Sequence, residues 1–446
     1  MDGALFKAAP SLLQSWGRRQ SVYTLIDCNN FYIECHRAFD LKLRGIPVVV
    51  RSNNDGNAVS RSNEAKAIGV PMGEPWFKLK NLVKSHGLVG LSSNYELYAD
   101  MSNRVVEIIR DYAPRIEQYS IDECFLDLTG VQGDLEERIR KLRKHIKKWT
   151  NLPVCGGTAS TKTLAKLANR IAKKNPQYDG VCDFTKMTEG EVDAILAGIE
   201  VGDVWGIGKR ITARLANLGI TTALQLKQAD HEYIRQQFSV TVEKTVRELN
   251  GVPCIEFEEV APAKKQIVSS RSFGNTVQDI ESLREAVTTF VTNARMKLRA
   301  QESFASTITV FIQSNPFNND PQYKKPPLTV ALPAPTDDYL DLVRVALYAL
   351  NKLYIPGFRY KKAGIMLDGI VPKEGQQLDI FGFQPSDDVA ERLATAMDAI
   401  NGRWGKFALV SGGMLTRPSV GKKWKMRQDN LSPRYTTDWA GLIKAT

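Results

Sequence analysis

The run VYTLIDC, residues 22–28, is apolar and β-branched; the spacing then changes, and Phe31, Cys35 and Phe39 recur at helical intervals. Asp27 therefore falls at the end of a predicted strand. IPVVVRS (46–52) predicts a second buried strand, and NNDGNAVS after it has turn chemistry. SNEAKAIGV opens like a capped helix, so 41–94 reads as a short α/β unit. Residues 95–115 predict a long amphipathic helix that stops at Pro114. YSIDECFLDLTG (119–130) is β-prone, yet carries Asp122 and Glu123 side by side. DLEERIRKLRKHIKKWT (134–150) predicts a helix with Leu135, Ile139, Leu142 and Ile146 on one stripe and a solvated Lys-rich face. LPVCGGTAS returns to strand and Gly-rich turn, and TKTLAKLANRIAKKNP predicts a basic helix stopped by Pro176.

From 186 to about 253 the pattern is short helices only. Within it, DVWGIGKRITARLANLGI fits a helix-hairpin-helix: Gly206-Ile207-Gly208 makes a tight turn whose free N–H groups can hold a phosphate, with Lys209 and Arg210 following. A simple turn fits the same GxG. EFEEVAPAKKQIVS passes from acidic through Pro262 to basic and reads as a linker. SSRSFGNTV, a helix at 279–301, ASTITVFIQ, LTVALPAPT, a helix near 338–354 and KKAGIMLDGIV then predict a separate α+β unit. From Pro372 onward no long periodic element is predicted. The fold class is α+β, with several domains.

The chain has 446 residues, too many for one typical core. Its 43% hydrophobic and 24% charged residues are ordinary globular composition and exclude a fibrous or largely disordered class. The net charge of +11 favours an anionic partner such as nucleic acid. Much of that excess lies in 401–446, where nine Lys or Arg face only Asp429 and Asp438. Six cysteines without CxxC spacing predict buried free thiols, and four scattered histidines leave oxygen as the ligand type for any metal. The first twenty residues lack the h-region of a secretion signal and read as a loose extension. No apolar stretch reaches the roughly eighteen residues of a membrane span. A cytoplasmic protein with no membrane partner is expected.

Asp27, Asp122 and Glu123 each sit beside an apolar strand. In a flat strand, one of two adjacent carboxylates would be driven into the core at high cost. If the chain turns at Asp122, both acids face Asp27, as a site for two Mg²⁺ ions requires, since Mg²⁺ takes a few carboxylates plus substrate phosphates. A solvated acidic hairpin turn is the other reading of the pattern.

LIDCNNFY (25–32), YSIDECFLDLTG and ASTKTLAKLANRIAKKNP, in that order, resemble the Y-family translesion DNA polymerases, and QIVSSRSFG, VFIQSNPF, RYKKAGIML and LSPRYTTD extend the resemblance along nearly the whole chain from Tyr23. The resemblance implies a right-hand architecture: extension 1–20, palm 21–40 and 95–175, small fingers 41–94, helical thumb 176–256, linker 257–263, α+β little finger 264–371 and basic C-terminal tail 372–446. It implies Asp27, Asp122 and Glu123 as catalytic metal ligands, with the Cys28 carbonyl as an extra one. Tyr32 matches the steric gate beneath the incoming sugar, Lys166 and Lys66 match triphosphate-holding positions, and Ser60 matches a hydroxyl contact there. Lys66 stands where many relatives carry Arg, and Asn63 where many carry Tyr, so weaker nucleotide binding is expected, with Arg61 a compensating candidate. Gly206, Gly208, Lys209 and Arg271 are the DNA-binding candidates. Gln377, Leu378 and Phe381, in QLDIF, resemble a motif that seats on a sliding clamp. The function implied is low-fidelity, template-directed synthesis past lesions in an SOS-type response, with Mg²⁺ and dNTPs, on primer-template DNA in the nucleoid, without a proofreading exonuclease. A UmuD′-like dimer and a RecA filament are implied partners, and the basic tail is expected to bind either these or DNA. A catalytically silent DNA-binding scaffold competes with this reading, but has no reason to keep three costly carboxylates. A metal-dependent nuclease would have no use for Tyr32.

Overall fold

The computed structural model describes residues 21–260, 262–317, 321–374, 388–405, 407–410, 412 and 424–441. Strand β1 (Tyr23–Cys28) turns through Asn30, at a left-handed φ of 48°, into α1 (Phe31–Phe39). Next come β2 (Val48–Arg51), β3 (Ala58–Arg61), α2 (Asn63–Ala67), α3 (Lys80–His86) and β4 (Val89–Ser92), whose strands make a small sheet ordered β3-β2-β4. The chain then returns through α4 (Tyr95–Arg110), β5 (Arg115–Gln118), β6 (Glu123–Asp127), α5 (Leu135–Thr150), β7 (Val154–Ala159), α6 (Lys162–Lys174) and β8 (Val181–Asp183). These build a five-stranded sheet, β5-β6-β1-β7-β8, into which the small sheet is an insertion. The sheet takes in β8 and so continues past residue 175, the boundary expected for this unit.

Period-two alternation divides this sheet between two cores. Ile26, Cys124 and Leu126 pack towards α4 and α5, whereas Leu25 and Phe125 pack on the other face with Leu164 and Leu167 of α6. Burying each such leucine contributes about 1.5–3 kcal/mol. Helix α6 lies very close to β7: a Cβ on Gly157 would come within 2.1 Å of the Asn169 nitrogen and 2.4 Å of the Ala165 oxygen. Only glycine fits there. Asn169, buried, donates to the carbonyls of Leu25 (3.2 Å) and Cys155 (2.9 Å), tying α6 to β1 and β7.

Five helices follow, α7 (Glu189–Ala197), α8 (Lys209–Ala216), α9 (Ala223–Gln228), α10 (His231–Gln237) and α11 (Val240–Leu249). The last unit is β9 (Ile267–Val277), α12 (Ile280–Ala300), β10 (Ser303–Ser314), β11 (Leu328–Thr336), α13 (Tyr339–Leu353), β12 (Tyr360–Asp368) and β13 (Val371–Pro372). Its sheet runs β11-β10-β12-β9, with β13 added on β10, and packs on α12 and α13. The α+β expectation holds throughout. Five of the six cysteines are buried free thiols and Cys254 is partly exposed. Among the described residues no helix is long and apolar enough to cross a membrane.

The expectation that no long element follows Pro372 is overturned: α14 (Asp388–Trp404) is a seventeen-residue helix. It docks largely by charge, Arg299 of α12 bonding Glu391 (3.0 Å) and Asp398 (2.7 Å), while Leu393 is exposed and the small Ala394 is buried. A stripe of that kind gives a weak periodic signal.

The described end of the basic tail is not a free arm either. Trp424 is buried against Phe290, and the Gly274 amide donates to the Lys425 carbonyl (3.1 Å). The Arg427 amide then donates to Asn54 (2.9 Å), the Asp429 amide to Asp55 (2.9 Å) and the Asn430 amide to Ser92 (3.0 Å). Tyr435 stacks on Phe39 at 4.9 Å between centroids. Residues 424–435 thus strap the last α+β unit to the small sheet and α1. Gln377, Leu378 and Phe381 lie outside the described residues, as do residues 1–20.

Candidate active site

The chain turns at the acidic pair. Ser120 organises the turn: its hydroxyl accepts from the amides of Asp122 (3.2 Å) and Glu123 (3.0 Å) and donates to the Asp122 carboxylate (2.6 Å). Strand β6 starts only at Glu123, which stands directly across from Asp27 in the antiparallel ladder. Both therefore project on the α6 face, where opposed residues of neighbouring strands are close. The Cys28 amide donates to the Asp122 carbonyl (2.9 Å), which holds the turn against the end of β1. Neither acid is forced into the core, and the adjacency of the pair has its explanation.

Two lysines from α6 meet these acids. Lys166 contacts both oxygens of Glu123 at 2.9 Å, and Lys173 lies 2.5 Å from Asp27. Seven residues apart, they share one helical face. Among the described residues no three acidic, His or Cys side chains converge closely enough to hold one ion, so the three expected ligands are neighbours without forming a closed cage. Burial pushes the Asp27 carboxyl from 3.8 up to about 6; Lys173 opposes the rise and Glu123 and Asp122 add to it. Three carboxyl groups gathered where β1 ends and β6 begins, with Glu123 and Asp122 both raising the pKa of Asp27, are an oxygen-only donor set. That chemistry fits divalent ions such as Mg²⁺.

Lys166 is also boxed by rings, its ammonium 4.4 Å from the centroid of Tyr119 and 5.0 Å from that of Trp205. The Trp205 indole donates to the Tyr119 hydroxyl (3.2 Å). A cavity of about 360 Å³ opens here, lined by Asp27, Glu123, Lys166, Lys173, Asp203 and Trp205 among others.

Lys66 donates to Asn30 (2.6 Å), and its pKa is lowered by burial and then by Arg61 and Lys173. Lys66, Arg61 and Lys173 thus form one cationic neighbourhood. Arg61 donates to the Val70 carbonyl (2.7 Å), with its buried Nε unpartnered, and Ser60 is buried in β3. Asn63 accepts from the Asn30 amide group at 3.1 Å. Tyr32 stacks on Tyr98 at 4.3 Å between centroids and 16° between planes. Burial raises the Tyr32 pKa, then Tyr95 and Asp122, so its hydroxyl lies within the field of the acidic turn.

Three of the nucleic-acid candidates, Gly206, Gly208 and Lys209, follow directly on Trp205. Gly206 has φ 87°, which favours glycine, Ile207 is buried, and exposed Gly208 caps α8 with Lys209 as its first residue. Arg271 is half-buried in β9, and burial lowers its pKa. Sequence reasoning missed Lys173, Ser120 and Trp205. Only Lys173 left a trace there, two helical turns after Lys166.

The sequence matches the impB/mucB/samB family over residues 26–170 and that family's C-terminal domain over 264–380. Residues 391–445 match a domain of unknown function, DUF4113. Protein UmuC of Salmonella typhimurium is 43% identical over 95% of this chain and 100% of its own length. MucB of Escherichia coli is 40% identical over 95% and 100%. A protein named DNA polymerase IV from Moorella thermoacetica is 27% identical over 89% and 96%. In structure, a Y-family DNA polymerase chimera of Dbh and Dpo4 aligns with a TM-score of 0.59 at 19% identity, covering 79% of this chain and 99% of the other, a likeness of fold.

Proposed function

The chain belongs to the impB/mucB/samB family of Y-family DNA polymerases, and we infer from that membership that it is a low-fidelity, template-directed translesion DNA polymerase acting on primer-template DNA. The single observation that carries the chemistry is the placement of Asp27 and Glu123 as opposed residues beside the Ser120–Asp122 turn, with a cavity alongside.

On this reading Asp27, Asp122 and Glu123 are the carboxylates that hold two Mg²⁺ ions, with the Cys28 carbonyl as a further ligand. When bound, the ions lower the pKa of the primer 3′-hydroxyl and neutralise the charge that develops on the leaving pyrophosphate. Everything else is positioning and electrostatics supplied by the chain. Lys66 and Lys166 hold the triphosphate of a dNTP, with Arg61 and Lys173 adding charge and Ser60 a hydroxyl contact, a role supported by the shared neighbourhood of Lys66, Arg61 and Lys173 and by the approach of Lys166 to Glu123. Each lysine gives its contact as a point charge, without the fork that an arginine offers. Tyr32 is the steric gate under the sugar. The units run as palm (21–40 and 95–175, extended by β8), fingers (41–94), thumb (176–256) and little finger (264–371). The α8 hairpin and Arg271 of β9 bind DNA backbone. Residues 377–381 seat a sliding clamp, and a UmuD′-like dimer and a RecA filament are partners at the nucleoid; these rest on the sequence alone.

Primer extension with Mg²⁺ and four dNTPs, on an undamaged and an abasic template, tests the reading. Wild type, alone or with UmuD′ and RecA added, is expected to extend both primers, and Asp122→Asn or Glu123→Gln to abolish extension. Full extension by a chain carrying both substitutions would remove the metal-site assignment.

A further inference from the structure

The Tyr32 ring does not stand alone. It lies face to face on Tyr98, which comes from α4 and is completely buried, and Tyr95 meets both rings edge-on at 6.4 and 6.0 Å. Behind the stack, His36 of α1 and the Tyr98 hydroxyl share a hydrogen bond of 2.8 Å, buried at both ends. His36 is one helical turn after Tyr32, so α1 grips the Tyr98 ring at two points: Tyr32 covers its face and His36 holds its hydroxyl. Two side chains one turn apart lie on the same side of a helix, which makes this grip geometrically natural. A buried hydroxyl and imidazole with one shared bond are costly to separate, so the ring plane of Tyr98 has little freedom.

We propose that Tyr98 and His36 are positioning residues for sugar selection: their hydrogen bond fixes the aromatic platform on which Tyr32 rests, and so prevents the Tyr32 ring from yielding to a 2′-hydroxyl. This rests on Tyr32 being the gate. A gate works only if it resists displacement, and a single ring at the surface of a helix has rotamers open to it. The stacked, back-bonded Tyr98 removes the space that such a rotation would use. Neither residue touches the nucleotide in this scheme, and both act through Tyr32.

The test is single-nucleotide insertion of one dNTP and the matching rNTP, with KM and kcat measured separately, in the mixture in which the wild type extends a primer. Tyr32→Ala should collapse the preference for dNTP. Tyr98→Phe keeps the ring and its volume and loses the bond to His36; it should raise rNTP use relative to dNTP roughly threefold to tenfold, the scale set by one buried hydrogen bond. His36→Phe should give a similar shift, and the two together no more than either alone. In a Tyr32→Ala background, Tyr98→Phe should leave the sugar ratio where Tyr32→Ala put it. A merely structural role would lower insertion of both sugars alike and leave the ratio unmoved. That result, with Tyr32→Ala still collapsing the preference, overturns the positioning role and leaves the gate standing. An unchanged ratio in Tyr32→Ala itself removes the gate, and this inference with it.

Discussion

Replacing Asp27 by asparagine should make the metal-free protein more stable at neutral pH. Burial raises the Asp27 carboxyl from 3.8 to about 6, even with Lys173 in contact. At 1.36 kcal/mol for each pH unit, the ionised side chain costs about 3 kcal/mol in the folded state. A carboxyl whose pKa is raised by folding leaves stability intact below 3.8, where folded and unfolded chains are both protonated. Stability is then lost as pH climbs through about 6, and the loss is constant above it. Asparagine has nearly the same shape and never ionises. Lys173 loses its partner in the variant, but its side chain is 31% exposed and can turn to water at small cost.

The gap between variant and wild type should therefore be close to zero at pH 4 and open to about 3 kcal/mol by pH 8. Hydrogen exchange of the β1 amides, Tyr23–Cys28, reports opening of this sheet, and the gap corresponds to roughly 100-fold slower exchange in the variant at pH 8. Saturating Mg²⁺ should reverse the order, because an ion that binds only the folded chain stabilises wild type by mass action and has lost a ligand in the variant. Equal exchange rates at pH 8, or a gap that persists unchanged at pH 4, would refute the claim that Asp27 is held ionised at a cost.

Lys162 is 1% exposed and paired with Glu117, with its ammonium also 2.5 Å from the Glu256 carbonyl; Lys162→Met strands a buried carboxylate and should cost about 3–5 kcal/mol in urea denaturation, most of it recovered by adding Glu117→Gln. Gly157→Ala drives a methyl into the backbone of α6 and should lower stability by more than about 4 kcal/mol, read as a fall in melting temperature; a near-normal melt would mean that α6 can back away from β7. Deleting 424–446 removes the contacts from Lys425 to Gly274 and from Arg427 to Asn54, and should speed proteolysis in the 250–266 connection severalfold; unchanged cleavage would show that the strap holds nothing.

What could be read in the sequence was what one element records about itself. VYTLIDC and YSIDECFLDLTG show their strands by composition, and the turn at Asp122 follows from the cost of burying one of two adjacent acids. The helices at 134–150 and 279–301 show their apolar stripes, and both were placed to within a few residues. Charge-docked α14 was missed because its contacts to Arg299 involve partners about a hundred residues away and its buried side is small. The strap was invisible for a related reason: it reaches Gly274, Asn54, Ser92 and Phe39 with its own backbone groups at Lys425, Arg427 and Asn430 and with one ring, and backbone bonding leaves no mark on the strap's residue types.

The same limit explains the lysines. Lys166 and Lys173 read as two positions on a basic helix, and nothing in their spacing says that they land on Glu123 and Asp27, since that depends on how closely α6 approaches the sheet. Gly157 and Asn169 set that approach, the first by having no Cβ and the second by bonding two strands at once. A site of three carboxylates held at high electrostatic cost is thereby kept folded by cations from its own chain, on a helix whose position is fixed by backbone contact. These ammonium groups line the same cavity as Asp27 and Glu123, and on the proposed function they exchange a carboxylate for a phosphate oxygen of the triphosphate. Lys166 and Lys173 then both stabilise the unliganded sheet and, on the proposed function, belong with Lys66 and Arg61 to the set that holds the triphosphate, and that double use is a consequence of α6 packing rather than of any feature in the acidic motif.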